Sequence, residues 1–443
     1  MLRILHTSDW HLGQHFIGKS REAEHRAFFH WLKTTITAQQ VDVLLVAGDI
    51  FDTATPPSYA RELYNQLVVD LAPTGVQIVL LGGNHDSVAV LAESASLLAC
   101  LRTQVVPGYS TAADAHLITL QRRSGEPAAV LAALPFLRPR DLSQRDDFKS
   151  SAGVQASDKQ RQLQQQIALV YQELYDAAVA RATALAAQAG LTEPLPVIAS
   201  GHLTTVGASS TESVREIYIG TLDAFPASAF PPFAYIALGH IHQAQQVAGS
   251  EYIRYCGAPL ALSFDEAAQQ KYCLLVSVGA DATHAKDVTS TWVQVESLPL
   301  PVWQPLLSLQ TDLASLPALL QPALAKLAAD QQLWLELVLT GDSALLSDVQ
   351  QQLEQQLQDL PVQLLRLRRL RREAVSLQQS GLSLQELTPT EVFAERLSTE
   401  TLPDTQCQRL TELHQQAWQL VLAAEADAAA SSAAVTPETE RLS

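Results

Sequence analysis

Five short polar clusters each follow an apolar run: Asp9-Trp10-His11, Gly48-Asp49, Gly82-Gly83-Asn84-His85-Asp86, Gly201-His202 and Gly239-His240-Ile241-His242. Between them they offer Asp9, His11, Asp49, Asn84, His202, His240 and His242. This mixture of imidazole, carboxylate and amide suits Mn2+ or Fe2+ better than a thiolate-seeking metal. Seven such ligands serve two hexacoordinate cations if one carboxylate is shared, with positions left for substrate and water. Cations about 3.5–4 Å apart can clamp a phosphodiester and generate a hydroxide between them. Taken singly, Asp9-x-His11 is an ordinary loop pair and Gly48-Asp49 an ordinary helix cap. The 82–86 cluster is more specific, because a plain turn requires neither its amide nor its imidazole. All five in order, each at the end of an apolar run, read as one site.

The runs that must position these clusters have strand character, at 2–7, 41–47, 76–81, 195–200 and 233–238, with further strands at 129–134 and 271–278. Stretches of helical length separate the early ones, at 22–39 and 58–71. Such alternation predicts a layered α/β sheet with helices on its faces. Sites in these sheets gather in the crevice beyond the carboxyl ends of the strands. Residues 155–188 predict a long Gln- and Ala-rich helical insertion whose Leu163, Ile167, Val170 and Leu174 form a packing surface.

Past residue 278 the texture changes. A polar stretch and the Pro-rich 298–305 read as a linker. A strand, a helix (about 312–329), a strand (333–340), a helix from Ser343 and a strand (362–370) follow, giving a small α/β domain at 299–375. Gly381 closes a second linker. Thr388-Pro389-Thr390-Glu391 has a capping-box pattern, opening a helix to about Leu397. A second helix, about 404–424, carries Leu410, Leu413, Ala417 and Val421 on one face. Residues 386–426 thus read as a helical pair too small to bury its own apolar face and suited to a partner helix. The Ala/Ser-rich 427–443 reads as a disordered tail.

A length of 443 residues favours two or three compact units. The net charge of −17 is unusual for a nucleic-acid binder, since phosphate contacts dominate such affinity. Bound metals and a partner would have to supply the positive charge. The one dense basic run, Arg366, Arg368, Arg369, Arg371 and Arg372, suits nucleic-acid contact or a solvated strand end equally well. Arg138 and Arg140, beside Pro135-Phe136, are candidate phosphate contacts. Cys100, Cys256, Cys273 and Cys407 are scattered and form no CxxC pair, which speaks against zinc ribbons and disulfides and for a reducing cytoplasm. There is no signal peptide pattern and no run of roughly 20 apolar residues, so no membrane span is expected.

The order of the clusters resembles the calcineurin-like metallophosphoesterase superfamily. Residues 4–13, 48–59, 135–141, 201–208 and 223–242 are further similar to the SbcD family of bacterial nuclease subunits, nearly throughout 1–278 and more loosely to the C-terminal helices. The resemblance implies a metallophosphoesterase β-sheet sandwich flanked by helices over 1–278, a small α/β capping domain and a C-terminal helical pair. It implies one cation, most simply Mn2+, on Asp9, His11 and His242, and a second on Asn84, His202 and His240, with Asp49 bridging. His85 matches the family's catalytic histidine; a hydrogen-bonding role beside a ligand is the alternative. Asp52 stands where archaeal and eukaryotic relatives place a second functional histidine; it could act electrostatically or cap the following helix, and the cap is the favoured reading. The implied activity is double-strand exonuclease and single-strand or hairpin endonuclease action on DNA, in end processing, replication and recombination. The implied assembly is a homodimer within a heterotetramer with the coiled-coil ATPase SbcC; no Walker A sequence is present, so ATP would act through that partner. A small phosphodiester or cyclic-nucleotide hydrolase would have little use for the extra domains. A non-catalytic scaffold would have lost ligands, and none is lost.

Overall fold

In the computed structural model, residues 1–138, 141–142, 156–209, 211, 214, 224–279, 292–340, 346–369, 393, 397, 406 and 408–416 are described. The chain opens with β1 (Leu2–Thr7), a small hairpin of β2 (His15–Phe16) and β3 (Lys19–Ser20), and α1 (Glu22–Ala38). Then come β4 (Val43–Val46), α2 (Ser58–Leu71), β5 (Gln77–Leu81), the short α3 (Val88–Glu93) and α4 (Ala95–Ala99), and β6 (Thr103–Val106). The strands β7 (Leu117–Gln121) and β8 (Pro127–Ala133) lead into the long α5 (Ala156–Gln188). Next are β9 (Val197–His202), β10 (Ile236–Gly239), β11 (Gln245–Gln246), β12 (Ile253–Tyr255), β13 (Tyr272–Gly279) and β14 (Trp292–Pro299). The series ends with β15 (Leu306–Thr311), α6 (Leu316–Leu324), β16 (Leu333–Leu339), α7 (Leu346–Leu357) and β17 (Val362–Arg369).

Two six-stranded sheets result, in the orders β14-β13-β1-β4-β5-β6 and β11-β12-β10-β9-β8-β7. In the first sheet β1, β4, β5 and β6 run parallel, and β13 and β14 add antiparallel at one edge. In the second β12, β10, β9 and β8 run parallel, with β11 and β7 antiparallel at the two edges. Successive side chains on a strand point to opposite faces, and that period sorts the core into layers. Ile4, Val43, Leu45 and Val79 of the first sheet meet Ala129, Leu131, Ile198 and Ala237 of the second in an inter-sheet core. Their neighbours Leu5, Leu44, Val46 and Ile78 face the other way, onto Phe28, Leu32 and Ile36 of α1 and Leu63 and Leu67 of α2. On the far side of the second sheet, Val130, Ala132, Ala199 and Leu238 receive Leu163, Ile167, Val170 and Leu174 of α5. Continuous apolar strands follow from this arrangement, because each is covered on both faces. Truncating one such Leu or Ile to Ala costs about 2–5 kcal/mol.

The first sheet continues past residue 278. β14 pairs with β13 over its full length, Tyr272↔Pro299 to Gly279↔Trp292. The 298–305 linker expected from sequence therefore begins inside a strand. Gln294 and Glu296 alternate with Val293 and Val295 because β14 is an edge strand with one wet face, and this half-polar pattern hid it. The last three strands form a separate parallel sheet, β15-β16-β17. Leu316, Leu320, Leu353 and Leu357 of α6 and α7 cover Leu333, Leu335, Leu337 and Leu339 of its central strand. This is the strand-helix-strand-helix-strand order read from the sequence.

Residues 1–369 form one compact unit and 370–443 a second. In the second, 393, 397, 406 and 408–416 are helical, and the Phe393 and His414 rings stack with centroids 4.0 Å apart. Leu410 and Leu413 are exposed. The rest of the expected helical pair, including Ala417 and Val421, lies outside the described residues, as do Gly381 and the 427–443 tail. No helix among the described residues is long and apolar enough to cross a membrane.

Candidate metal centre

The carboxyl ends of β1, β4 and β5 in one sheet and β9 and β10 in the other deliver the polar clusters to one place. In the first cluster, Trp10 turns away into the α1 core, against Phe28 and Phe29. That anchor leaves Asp9 and His11 on the opposite side. The Asp9 amide donates to the Gly48 carbonyl at 3.0 Å and the His11 amide to the Asp49 carbonyl at 3.1 Å, so the first two loops are joined through their backbones. Asp9, His11, Asp49 and His240 all adopt positive φ, 53°, 48°, 50° and 97°. Such conformations cost on the order of 1–3 kcal/mol each for a non-glycine residue and gather at functional sites. Two glycines are required by close approach: a Cβ on Gly83 would run into the Asp49 carboxylate, and one on Gly239 into the Ala47 carbonyl.

The candidate ligands fall into two buried groups, Asp9/His11/His242 and Asp49/His202/His240, with donor atoms within 4.8 Å of one another in each. Asn84 joins the second group, its Oδ1 lying 2.9 Å from His202 Nε2 and 3.2 Å from His240 Nδ1. One oxygen of Asp49, Oδ2, faces both groups, 3.7 Å from His11 Nε2 and 3.3 Å from His202 Nε2. Its other oxygen accepts the His85 amide at 2.9 Å.

The histidines are oriented from behind. His202 Nδ1 donates to the Ala47 carbonyl at 2.8 Å, and His242 Nδ1 to Glu266 at 3.3 Å. His11 Nδ1 donates to Asp52 at 3.1 Å. A proton fixed on Nδ1 leaves the Nε2 lone pair available. His11 Nε2 is buried and has no hydrogen-bond partner, a costly arrangement for a polar atom unless something binds it. Lone pairs of several histidines converging on carboxylates in a buried pocket fit a pair of divalent cations. A third cluster, His11/Asp52/His85, shares His11 with the first group, and Asp52 already accepts from His11 Nδ1, so it is better read as support for that group.

Electrostatics agree. Burial lowers the His202 pKa, but the Asp49 carboxylate outweighs it and pushes the imidazole up to about 9. Burial also disfavours the charged form of Asp49, yet the histidines around it hold the carboxyl well below its usual range. His240, buried and facing His202, is pushed down. The buried carboxylates thus make the pocket one that favours positive charge.

Asp52 does not cap α2. That helix starts at Ser58 with Pro57 at its cap position and no side-chain cap bond. Asp52 instead holds His11 through its carboxylate and His85 through its carbonyl, which accepts from His85 Nδ1 at 2.7 Å. The distance from residue 52 to the helix is too great for the capping read from sequence. His85 itself is half-buried, its ring edge-on to His11 at 4.7 Å between centroids.

Arg138 sits over the Phe136 ring and donates to the Asp86 carbonyl at 3.1 Å; Arg140 lies outside the described residues. Arg366 and Arg368 both pair with the buried Glu336, at 3.2 and 3.3 Å. Arg371 and Arg372 lie outside the described residues. Sequence reasoning missed three supports. Asp86 accepts the amides of Ile50, Phe51 and Gly83 at 3.1, 2.9 and 2.8 Å, tying two loops together. His25 of α1 meets the Trp10 carbonyl at 2.8 Å. Glu266 holds His242. Only Asp86 left a signal, since it belongs to the 82–86 cluster.

The calcineurin-like phosphoesterase family model matches residues 2–244, and the model described as the type 5 capsule protein repressor C-terminal domain matches 302–401. The SbcD subunit of the SbcCD nuclease from Escherichia coli strain K12 is 48% identical over 415 residues, covering 93% of this chain and 96% of the relative. The SbcD subunit from Rhodobacter capsulatus is 39% identical over 274 residues, 60% of this chain and 64% of that one. The Bacillus subtilis counterpart is 30% identical over 311 residues, 68% and 72%. The chain belongs to the SbcD nuclease-subunit family of calcineurin-like phosphoesterases, metal-dependent hydrolases of phosphodiester bonds.

Proposed function

We propose that the chain cuts DNA with two divalent cations, most simply Mn2+, as the nuclease subunit of a complex with an SbcC-type coiled-coil ATPase. One cation is assigned to Asp9, His11 and His242, the other to Asn84, His202 and His240, with Asp49 shared. The observation that carries this reading is the single Asp49 oxygen facing a histidine Nε2 from each group. Bound cations of this kind polarise a phosphodiester and lower the pKa of water. The chain's own residues do the rest. Ala47, Asp52 and Glu266 hold the histidines in the tautomer that presents a lone pair. The positive-φ loops hold Asp9, His11, Asp49 and His240 in place, so little reorganisation accompanies the reaction. His85 has its Nδ1 proton committed to the Asp52 carbonyl; its Nε2 is the atom assigned to donate a proton to the leaving oxygen or to stabilise its charge.

The finer activities are double-strand exonuclease and single-strand or hairpin endonuclease cleavage, in the cytoplasm, by a homodimer within a heterotetramer. The names of the relatives, subunits of an SbcCD nuclease, support the partnership. The net charge of −17 supports it too, because a polyanion needs a second subunit to grip it. The 386–426 segment is the assigned docking region. The test compares Mn2+-dependent cleavage of hairpin DNA, bis-p-nitrophenyl phosphate and cyclic nucleotides, with and without the ATPase. ATP-stimulated hairpin cleavage by the complex is expected; preference for cyclic nucleotides would overturn the reading.

A further inference from the structure

Behind His242, the Glu266 carboxylate that orients its ring belongs to a larger buried polar cluster. Glu266 is fully buried in a short 3-10 turn, Phe264–Glu266. Its Oε1 accepts from His242 Nδ1 at 3.3 Å, from Thr211 Oγ1 at 2.9 Å and from Ser263 Oγ at 3.3 Å. Its Oε2 accepts from Lys271 Nζ at 2.6 Å and from the Leu262 amide at 3.1 Å. Lys271 Nζ also donates to the His242 carbonyl at 3.1 Å, so the pair holds both the ring and the backbone of this histidine. A carboxylate with five donors around it is an acceptor only. His242 must therefore carry its proton on Nδ1, leaving Nε2 for the Asp9/His11 group.

The supports differ between the two groups. His11 and His242 are each backed by a carboxylate, Asp52 and Glu266, whereas His202 is backed by the neutral Ala47 carbonyl. A carboxylate behind an imidazole raises its basicity as a ligand. The turn is also fastened from outside: Phe264 packs against Phe16, Phe16 stacks on Trp334 of β16, and the Arg366 guanidinium of β17 lies over the Phe264 ring at 5.8 Å. The small third sheet thereby steadies the turn that carries Glu266.

We propose that Glu266, paired with Lys271, is a positioning residue that holds His242 for the cation of the Asp9/His11/His242 group, and that it acts on this cation in preference to the other. The inference rests on the two-cation reading above. Mn2+ titration of the full chain, by calorimetry with thermal melts in chelator, tests it on wild type, Glu266→Gln/Lys271→Gln and Glu266→Asp. The double substitution avoids leaving the Lys271 charge buried and unpaired. The expected result is about 10–100-fold weaker binding of one Mn2+ with the other unchanged. Glu266→Asp keeps the charge and the Lys271 pair but withdraws the carboxylate by one methylene; it should weaken the same cation by less. Wild-type affinity for both cations in either folded variant would overturn the proposal, as would equal weakening of both. A wild-type chain that takes up only one Mn2+ would instead overturn the two-cation reading. If the double variant melts out, the Glu266→Asp titration decides alone.

Discussion

His25 holds the first loop of the candidate site by donating from Nε2 to the Trp10 carbonyl, between Asp9 and His11, and it is fully buried. Burial, together with the nearby Arg21 guanidinium, pushes its pKa down to about 3 from 6.5. The unfolded chain therefore takes up a proton at this residue below pH 6.5 while the folded chain refuses it until about pH 3. Stability is present above 6.5 and is lost as the pH falls through that window. Each pH unit inside it is worth about 1.4 kcal/mol per histidine, so His25 costs about 2 kcal/mol between pH 6.5 and 5. His11 and His202, whose pKa values are raised, respond with the opposite sign. A difference measurement removes them. His25→Gln keeps a donor for the Trp10 carbonyl and cannot titrate. Urea denaturation in excess chelator at pH 6.5, 6 and 5 should show the wild type losing about 2 kcal/mol more than the variant across this range. Parallel pH profiles for the two proteins would refute this and would mean that the loop opens to water when His25 protonates.

His85→Asn should leave both metals bound and cut phosphodiester hydrolysis at least about a hundredfold; loss of metal with activity would make His85 a ligand. Asp49→Ala should abolish activity and lower metal content more than His11→Ala, as measured by metal analysis of the purified variants. Equal loss in the two would count against a shared carboxylate. Deleting the residues after Gly381 should spare cleavage of bis-p-nitrophenyl phosphate while removing co-purification with the ATPase subunit and ATP stimulation. Retained full-affinity binding would reassign the C-terminal helices to internal packing.

The candidate ligands were legible because each follows an apolar strand directly, so strand period, glycine and polar cluster coincide within a few residues. β1, β4, β5, β9 and β10 could be read for the same reason: covered on both faces, each carries a run of Val, Leu, Ile or Ala, with the polar residues of β1 and β9 gathered mostly toward their carboxyl ends. β14 was not, since its outer face is polar and alternates Gln294 and Glu296 with valines. The supports escaped for a different reason. Asp52 meets a histidine 41 residues away and His25 a carbonyl 15 residues away. Glu266 sits in a turn whose local sequence matches any surface acid. What identifies these residues is tertiary: burial, and a donor aimed from another segment. The Asp52 reading failed on geometry, because the helix begins six residues later, at Ser58.

Metal stoichiometry followed alongside turnover is the sharpest check on a centre in which two cations share Asp49. Purified chain stripped by chelator should be inactive on DNA and on bis-p-nitrophenyl phosphate. Stepwise Mn2+ addition should restore activity only as the second of two cations per chain is bound. Full activity with one bound cation, or in chelator with none, would contradict a centre built on a carboxylate shared between two metals.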